Sequence, residues 1–172
     1  VQKSSRIFEA EADAVRNIPA TQNFGKAVDL IYEAVHKRGG KVVASGMGKA
    51  GQIALNIATT FSATGTPAVF LHPSDAQHGD LGVIQPNDIL LLVSNSGKTL
   101  EILELCELSQ RLGYQLMIIV ITGNPDSDLG HLANVTLSTG HPPEVCPLGL
   151  TPTTSTTVMT VLGDILVVLL ME

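Results

Sequence analysis

Apolar residues recur along this chain with two different periods, and the switch between them outlines a fold. Residues 3–17 and 22–38 carry apolar positions at i, i+3 and i+4, the spacing of amphipathic helices. Pro19 separates the two, and Gly39-Gly40 stops the second. Short continuous apolar runs then alternate with helical ones. Strands are predicted at 41–45, 66–72, 88–93, 115–122 and 134–138, with helices at 49–63 and 99–113. Residues 75–83 read as a turn or short helix, 126–133 as a short helix, and 151–172 as the last helix. Short strands alternating with helices mean βαβ units, hence an α/β fold with a parallel, mostly buried sheet. Right-handed crossovers put helices on both faces. The length suits one domain spanning residues 1–172.

The last helix needs a separate reading, because VMTVLGDILVVLLME is apolar on nearly every side. Its apolar run falls short of the about 20 residues a membrane span needs, and Gly163 and Asp164 interrupt it. It is expected to be a buried helix, packed in part against another subunit. Asp164 is expected to be buried, paired and structural.

Composition narrows the function. Apolar residues make up 44% of the chain, but aromatics only 3%, with no Trp, so the core must be Val, Leu, Ile and Ala. The net charge is −6 and the ten Lys and Arg are scattered. Nucleic-acid binding wants a basic face and stacking aromatics, and this chain has neither. Cys106 and Cys146 form no CxxC pair, and the first residues hold no apolar stretch of signal-peptide length. A cytoplasmic protein is the expectation.

In parallel sheets ligands sit beyond the carboxyl ends of the strands, so the strand ends carry the chemistry. The first is ASGMGKAG, where Gly46, Gly48 and Gly51 let the backbone approach a ligand at a helix N-terminus. It is not a Walker A loop. The GxGxxG spacing admits dinucleotide binding, but the second strand ends in His-Pro where that reading wants an acid. The second is SNSGKT. Ser94, Ser96 and Thr99 are spaced for their hydroxyls to converge with the Gly97 and Lys98 amides on one anion. A simple N-cap would explain one hydroxyl, not three. The third, HPSDAQHGD, carries His72, His78 and Asp80 with poor metal spacing; a proton-transfer histidine fits better. The fourth is HPPEVCPLGLTPTTSTT, in which Glu144 precedes a run of hydroxyls with Pro152 at the expected first helical position. Such a run suits the lining of a site or a tight helix contact.

GMGKAG, TFSATGTPAVFLHPSDAQHGDLG, SNSGKTLE and EVCPLGLTPTTSTT together closely resemble the sugar isomerase (SIS) domain of arabinose-5-phosphate isomerases, over roughly residues 25–171. The resemblance implies a five-stranded parallel sheet in a flavodoxin-like three-layer sandwich, a homotetramer, and no cofactor or metal. It implies interconversion of D-arabinose 5-phosphate and D-ribulose 5-phosphate, on the route to Kdo and lipopolysaccharide. Lys49, His78, Glu101 and Glu144 match the family's catalytic residues. Ser94, Ser96 and Thr99 match its phosphate contacts, and Gly97 and Lys98 of the same loop are phosphate-binding candidates beside them, with Gly46, Gly48, His72 and Asp80 as candidate substrate contacts. CMP-Kdo is a candidate feedback ligand. In many members a His-Pro-Gly-Gly tail and paired CBS domains follow the position of Glu172, and Lys98 stands where Glu is frequent.

The chemistry agrees with this assignment. Aldose–ketose isomerisation needs a base, an acid at the oxygens and a cation or donor for the enediolate. Glu101 and Glu144 are both base candidates, Lys49 the oxyanion partner, and His78 the ring-opening or shuttling group. The alternatives are an SIS isomerase of another phosphosugar, or a non-catalytic module sensing a phosphosugar or CMP-Kdo.

Overall fold

The computed structural model describes residues 2–172. Five parallel strands form one sheet in the order β2-β1-β3-β4-β5. They are β1 (Val42–Gly46), β2 (Ala68–Phe70), β3 (Ile89–Val93), β4 (Met117–Thr122) and β5 (Val135–Ser138). The helices are α1 (Gln2–Arg16), α2 (Asn23–Ile31), α3 (Gly48–Ala63), α4 (Pro73–Gln77), α5 (Leu100–Arg111), α6 (Asp128–Leu132) and α7 (Thr154–Met171).

The central strand β3 shows why the layers form. Ile89, Leu91 and Val93 join the core cluster that contains residues of α2, α3 and α7, including Ile31, Phe61 and Leu162. Leu90 and Leu92 alternate to the other face and join Leu105 and Cys106 of α5 and Leu129 of α6. Every residue of β1 and β3 is buried, as a sheet covered on both faces requires. Asp88 ties the entrances of these two strands together. Its carboxylate accepts from Lys41 N (2.9 Å), Lys41 Nζ (2.6 Å) and Gln85 N (2.7 Å), and its side chain is 1% exposed.

Three elements depart from the sequence reading. The second strand is three residues long rather than seven: it lies at the sheet edge, and Thr66 N turns back to Phe61 O at 2.9 Å before it starts. The helix predicted at 22–38 widens into a π-helical turn, Tyr32–Lys37, closed by Arg38 N to Glu33 O at 3.1 Å. The last helix begins at Thr154, not 151, so Pro152 lies outside it.

α7 is long and apolar enough by composition to cross a membrane, yet its buried side, including Val158, Leu162 and Leu166, belongs to the core. Gly163 sets its contact with α3, since a Cβ there would meet Ile57 Cγ1 at 2.4 Å. Asp164 is exposed, not buried and paired as expected. It lies in the stripe Val161, Asp164, Ile165, Val168, on the side of α7 turned away from the core.

Replacing Asp88 with Ala leaves two backbone N–H groups and a half-buried ammonium without their acceptor. The expected loss is about 2–4 kcal/mol of stability, read by urea denaturation.

Candidate active site

The strand order creates the crevice. From β1 the chain crosses toward one edge of the sheet and from β3 toward the other, so the loops after these neighbouring strands part. The gap is a cleft of about 290 Å³ lined by Met47, Lys49 and Ala50 after β1, and by Ser94, Asn95, Ser96 and Thr99 after β3. Pro152, Ser155, Thr156 and Met159 border it from α7 and the loop before it. A smaller cleft of about 170 Å³ lies among the strand entrances, but its Asp88 is already engaged by Lys41.

Close backbone packing shapes the β1 side. A Cβ on Gly51 would lie 2.6 Å from Gly46 O, and one on Gly46 would lie 2.9 Å from the Ala50 backbone. Only glycines let α3 start in contact with the end of β1. Gly48, at φ +56, makes the turn. The bond from Gly51 N to Met47 O at 3.1 Å opens the helix, so the N–H groups of Gly48, Lys49 and Ala50 lie ahead of it at the positive end of the dipole. Gly46 and Gly48 therefore shape the loop without lining the cleft.

On the β3 side the polar groups hold one another. Ser94 Oγ and Thr99 Oγ1 are 2.8 Å apart. Gly97 N–H donates to Ser94 Oγ (3.1 Å) and Lys98 N–H to Ser96 Oγ (3.2 Å). Thr99 occupies the N-cap position of α5, but its hydroxyl makes no cap hydrogen bond and is engaged with Ser94 instead. Gly97 is required twice over: its φ is +65, and a Cβ would fall 1.8 Å from Ser127 Oγ. The loop is thus preformed, and its hydroxyls and the first turns of α3 and α5 border one cleft that Lys49 also lines.

Glu144 sits at the third helix start. Its Oε2 accepts from Thr153 N (2.7 Å), Thr153 Oγ1 (2.8 Å) and Ser155 N (3.3 Å). Burial pushes its pKa up, but hydrogen bonds from the Ser155 hydroxyl, the Thr153 N–H and hydroxyl and the Ser155 N–H outweigh that and bring it below the ordinary 4.5. Glu11 on α1 braces the same place: its Oε1 accepts from Thr154 Oγ1 (2.9 Å), which in turn accepts from Val145 N (3.1 Å).

Of the residues singled out from sequence, Lys49, Ser94, Ser96 and Thr99 line the cleft, and Gly97 and Lys98 belong to the same loop. Glu144 reaches it through Ser155. His78 is exposed at the C-cap of α4, and Asp80 is exposed at the start of a 3₁₀ turn, Asp80–Val83. His72 is half-buried, its ring edge-on to Phe70 and its Nδ1 without a partner. Glu101 is half-buried in the first turn of α5. None of these four lines the cleft of the single chain. Asn95, Ser155 and Thr156 were not among the predicted site residues. The hydroxyl run pointed toward the latter two, whereas Asn95 gave no signal beyond standing between two cradle serines. Among the described residues no three His, Cys, Asp or Glu side chains gather as a metal group.

The SIS domain family model matches residues 35–169. The chain is 43% identical to the arabinose 5-phosphate isomerase KdsD of Yersinia pestis, over 99% of this chain and 51% of that protein. It is 47% identical to KdsD of Escherichia coli K12, over 99% of this chain and 50% of that protein. The chain thus spans about half the length of the curated relatives it matches. A Bacteroides fragilis crystal structure, provisionally named a phosphosugar isomerase involved in capsule formation, superposes with a TM-score of 0.98 at 64% identity, covering 99% of this chain and 88% of that one. An E. coli CFT073 protein solved in complex with arabinose 5-phosphate superposes with a TM-score of 0.88 at 34% identity, covering 96% of this chain and 86% of that one.

The Glu144 cap gives a signed pH prediction. A folded pKa below the unfolded value contributes stability that is present above about pH 4.5 and lost as pH falls through the folded pKa. Glu144→Gln is expected to lower stability at pH 7 by about 1 kcal/mol, as for a lost cap. The gap between the two proteins, followed by thermal melts, should begin to close as the pH drops below about 4.5 and vanish once it has passed below the folded pKa, where the wild-type carboxyl is also neutral.

Proposed function

The chain belongs to the SIS domain family, and from that premise we propose that it interconverts D-arabinose 5-phosphate and D-ribulose 5-phosphate. The observation that carries this reading is the cleft at the switch point, where Lys49 faces the Ser94, Ser96 and Thr99 cradle across a space suited to a small phosphosugar. The resemblance to KdsD and to a protein solved with arabinose 5-phosphate supports the choice of substrate.

The phosphate binds in the cradle through hydroxyls and backbone N–H groups, and supplies binding energy remote from the reacting carbons. With the ring open, a base removes the proton from C2 of the aldose. The electrons shift to give an enediolate, whose oxygen the Lys49 ammonium stabilises. The proton returns to C1, and a proton moves between O1 and O2, the role given to His78, which also opens the ring. Glu101 is the base we favour. The Glu144 carboxylate already accepts three hydrogen bonds from the start of α7 and has its pKa lowered, so it is the poorer proton acceptor and the better support for the cleft.

We place the reaction in the cytoplasm on the route to Kdo and lipopolysaccharide, with CMP-Kdo as a feedback ligand, and the working form as a homotetramer. The apolar stripe on α7, with Val168 and Leu169 exposed and Val161 and Ile165 half-buried, supports contact between copies. His78, Asp80 and Glu101, outside the cleft of one chain, fit a site completed in such an assembly.

Proton NMR of arabinose 5-phosphate with the protein in D2O is expected to show ribulose 5-phosphate forming with deuterium at the exchanging carbon. Glu101→Gln should cut this by about 10²–10⁴-fold, the usual worth of a general base. Turnover unaffected by that change would reassign the base to Glu144, and absence of turnover would leave a sensor or another phosphosugar. Val168→Glu is expected to shift the mass in multi-angle light scattering below that of a tetramer; an unchanged mass would move the contact off this stripe.

A further inference from the structure

His141 is the only non-glycine residue among those described that holds a positive φ, at 53°. A Cβ makes that conformation unfavourable, so something must hold it there. The turn is set by hydroxyls: Gly140 N donates to Ser138 Oγ (3.1 Å) and His141 N to Thr139 Oγ1 (3.2 Å). Its consequence is that the imidazole reaches back over the end of β4. A Cβ placed on Gly123 would meet Asn95 Oδ1 at 2.6 Å and His141 Nδ1 at 3.0 Å, so the two atoms converge on the bare face of this glycine.

Asn95 is the cleft residue standing between Ser94 and Ser96. Its backbone is pinned, because Asn95 O accepts from Gly123 N (3.0 Å) and Thr122 Oγ1 (3.3 Å). Its Oδ1 is buried and has no hydrogen-bond partner. A carboxamide has two ends. With Oδ1 turned toward Gly123, the Nδ2 group is the end left to face the cleft and donate to an anion. A buried carbonyl oxygen is costly to leave unpaired, and His141 Nδ1 stands on the same bare face of Gly123, 3.0 Å from the Cβ position that Asn95 Oδ1 approaches to 2.6 Å.

We propose that His141 is a positioning residue: a small turn of its imidazole lets Nδ1–H donate to the unpaired Asn95 Oδ1, and so holds the Asn95 Nδ2 group toward the phosphate. The inference rests on the reading of the cleft as a phosphate site. The left-handed strain at His141 is then what sets the amide of Asn95. This arrangement depends on Gly123, on the loop after β5 and on a residue in the loop after β3, three places far apart in sequence.

The test uses the full chain with inorganic phosphate as the probe, titrated calorimetrically, and in parallel KM and kcat for arabinose 5-phosphate. Glycine adopts positive φ without strain, so His141→Gly should fold with an unchanged or higher melting temperature. It should nevertheless bind phosphate about tenfold more weakly, the scale of one hydrogen bond to a charged group, with the effect falling on KM rather than kcat. His141→Asn should restore most of the affinity, because Asn tolerates the left-handed region and its amide nitrogen can occupy the place of Nδ1. Asn95→Ala should lose as much as His141→Gly, and the double variant no more than either. Phosphate affinity of His141→Gly within twofold of wild type would overturn the role of His141 while leaving the cleft intact. So would an Asn variant as weak as the Gly variant. Wild-type protein that binds no phosphate would instead overturn the cleft reading, and this proposal with it.

Discussion

One carboxylate oxygen decides where the last helix begins, and with it the shape of the cleft. Glu144 Oε2 gathers the N–H and hydroxyl of Thr153 and the N–H of Ser155, donors that the first turn of a helix cannot satisfy within itself. Pro152 is thereby left in the loop, and Ser155 and Thr156 come to border the space beside Ser94. The Glu11–Thr154–Val145 chain adds a second brace from α1, so the loop is held from two directions. A negative charge at the positive end of α7 is also the electrostatically favourable arrangement.

The opposite wall is built by the absence of side chains. Gly46 and Gly51 let α3 start against β1, and Gly97 lets the loop after β3 pass over Ser127. Both devices bring backbone N–H groups to the strand ends, where the sheet's topology already separates the loops. The cradle's hydroxyls are occupied with each other and with its own amides, which keeps the loop ordered. A ligand entering the cleft would therefore meet groups already in place, and less ordering entropy would oppose its binding.

Much of the fold was legible because its signals are local. Continuous apolar runs marked the first four strands and the apolar/polar alternation of NVTLS the fifth, and the short spacing of Ser94, Ser96 and Thr99 pointed to converging hydroxyls. Where the reading failed, the place of the element in the fold or a contact beyond its own residues was responsible. The second strand shortened at the sheet edge, and α7 started three residues late because Glu144, nine residues before Thr153, supplied the cap. Asp164 looked buried from its apolar neighbours, but only one side of α7 meets the core.

The layer architecture and the loops that carry polar groups follow from residue type and short-range period, while the candidate chemistry of Lys49, Glu101 and Glu144 came with the family resemblance of the motifs that hold them. Which of these groups share a space depends on the folded arrangement. It set Lys49 beside the cradle, gave Glu144 to the cap of α7, and brought His141 and Asn95 together over Gly123. Those pairings join residues from different strand ends, and their relative placement is set by strand order and close backbone contact, which no local pattern of residues encodes.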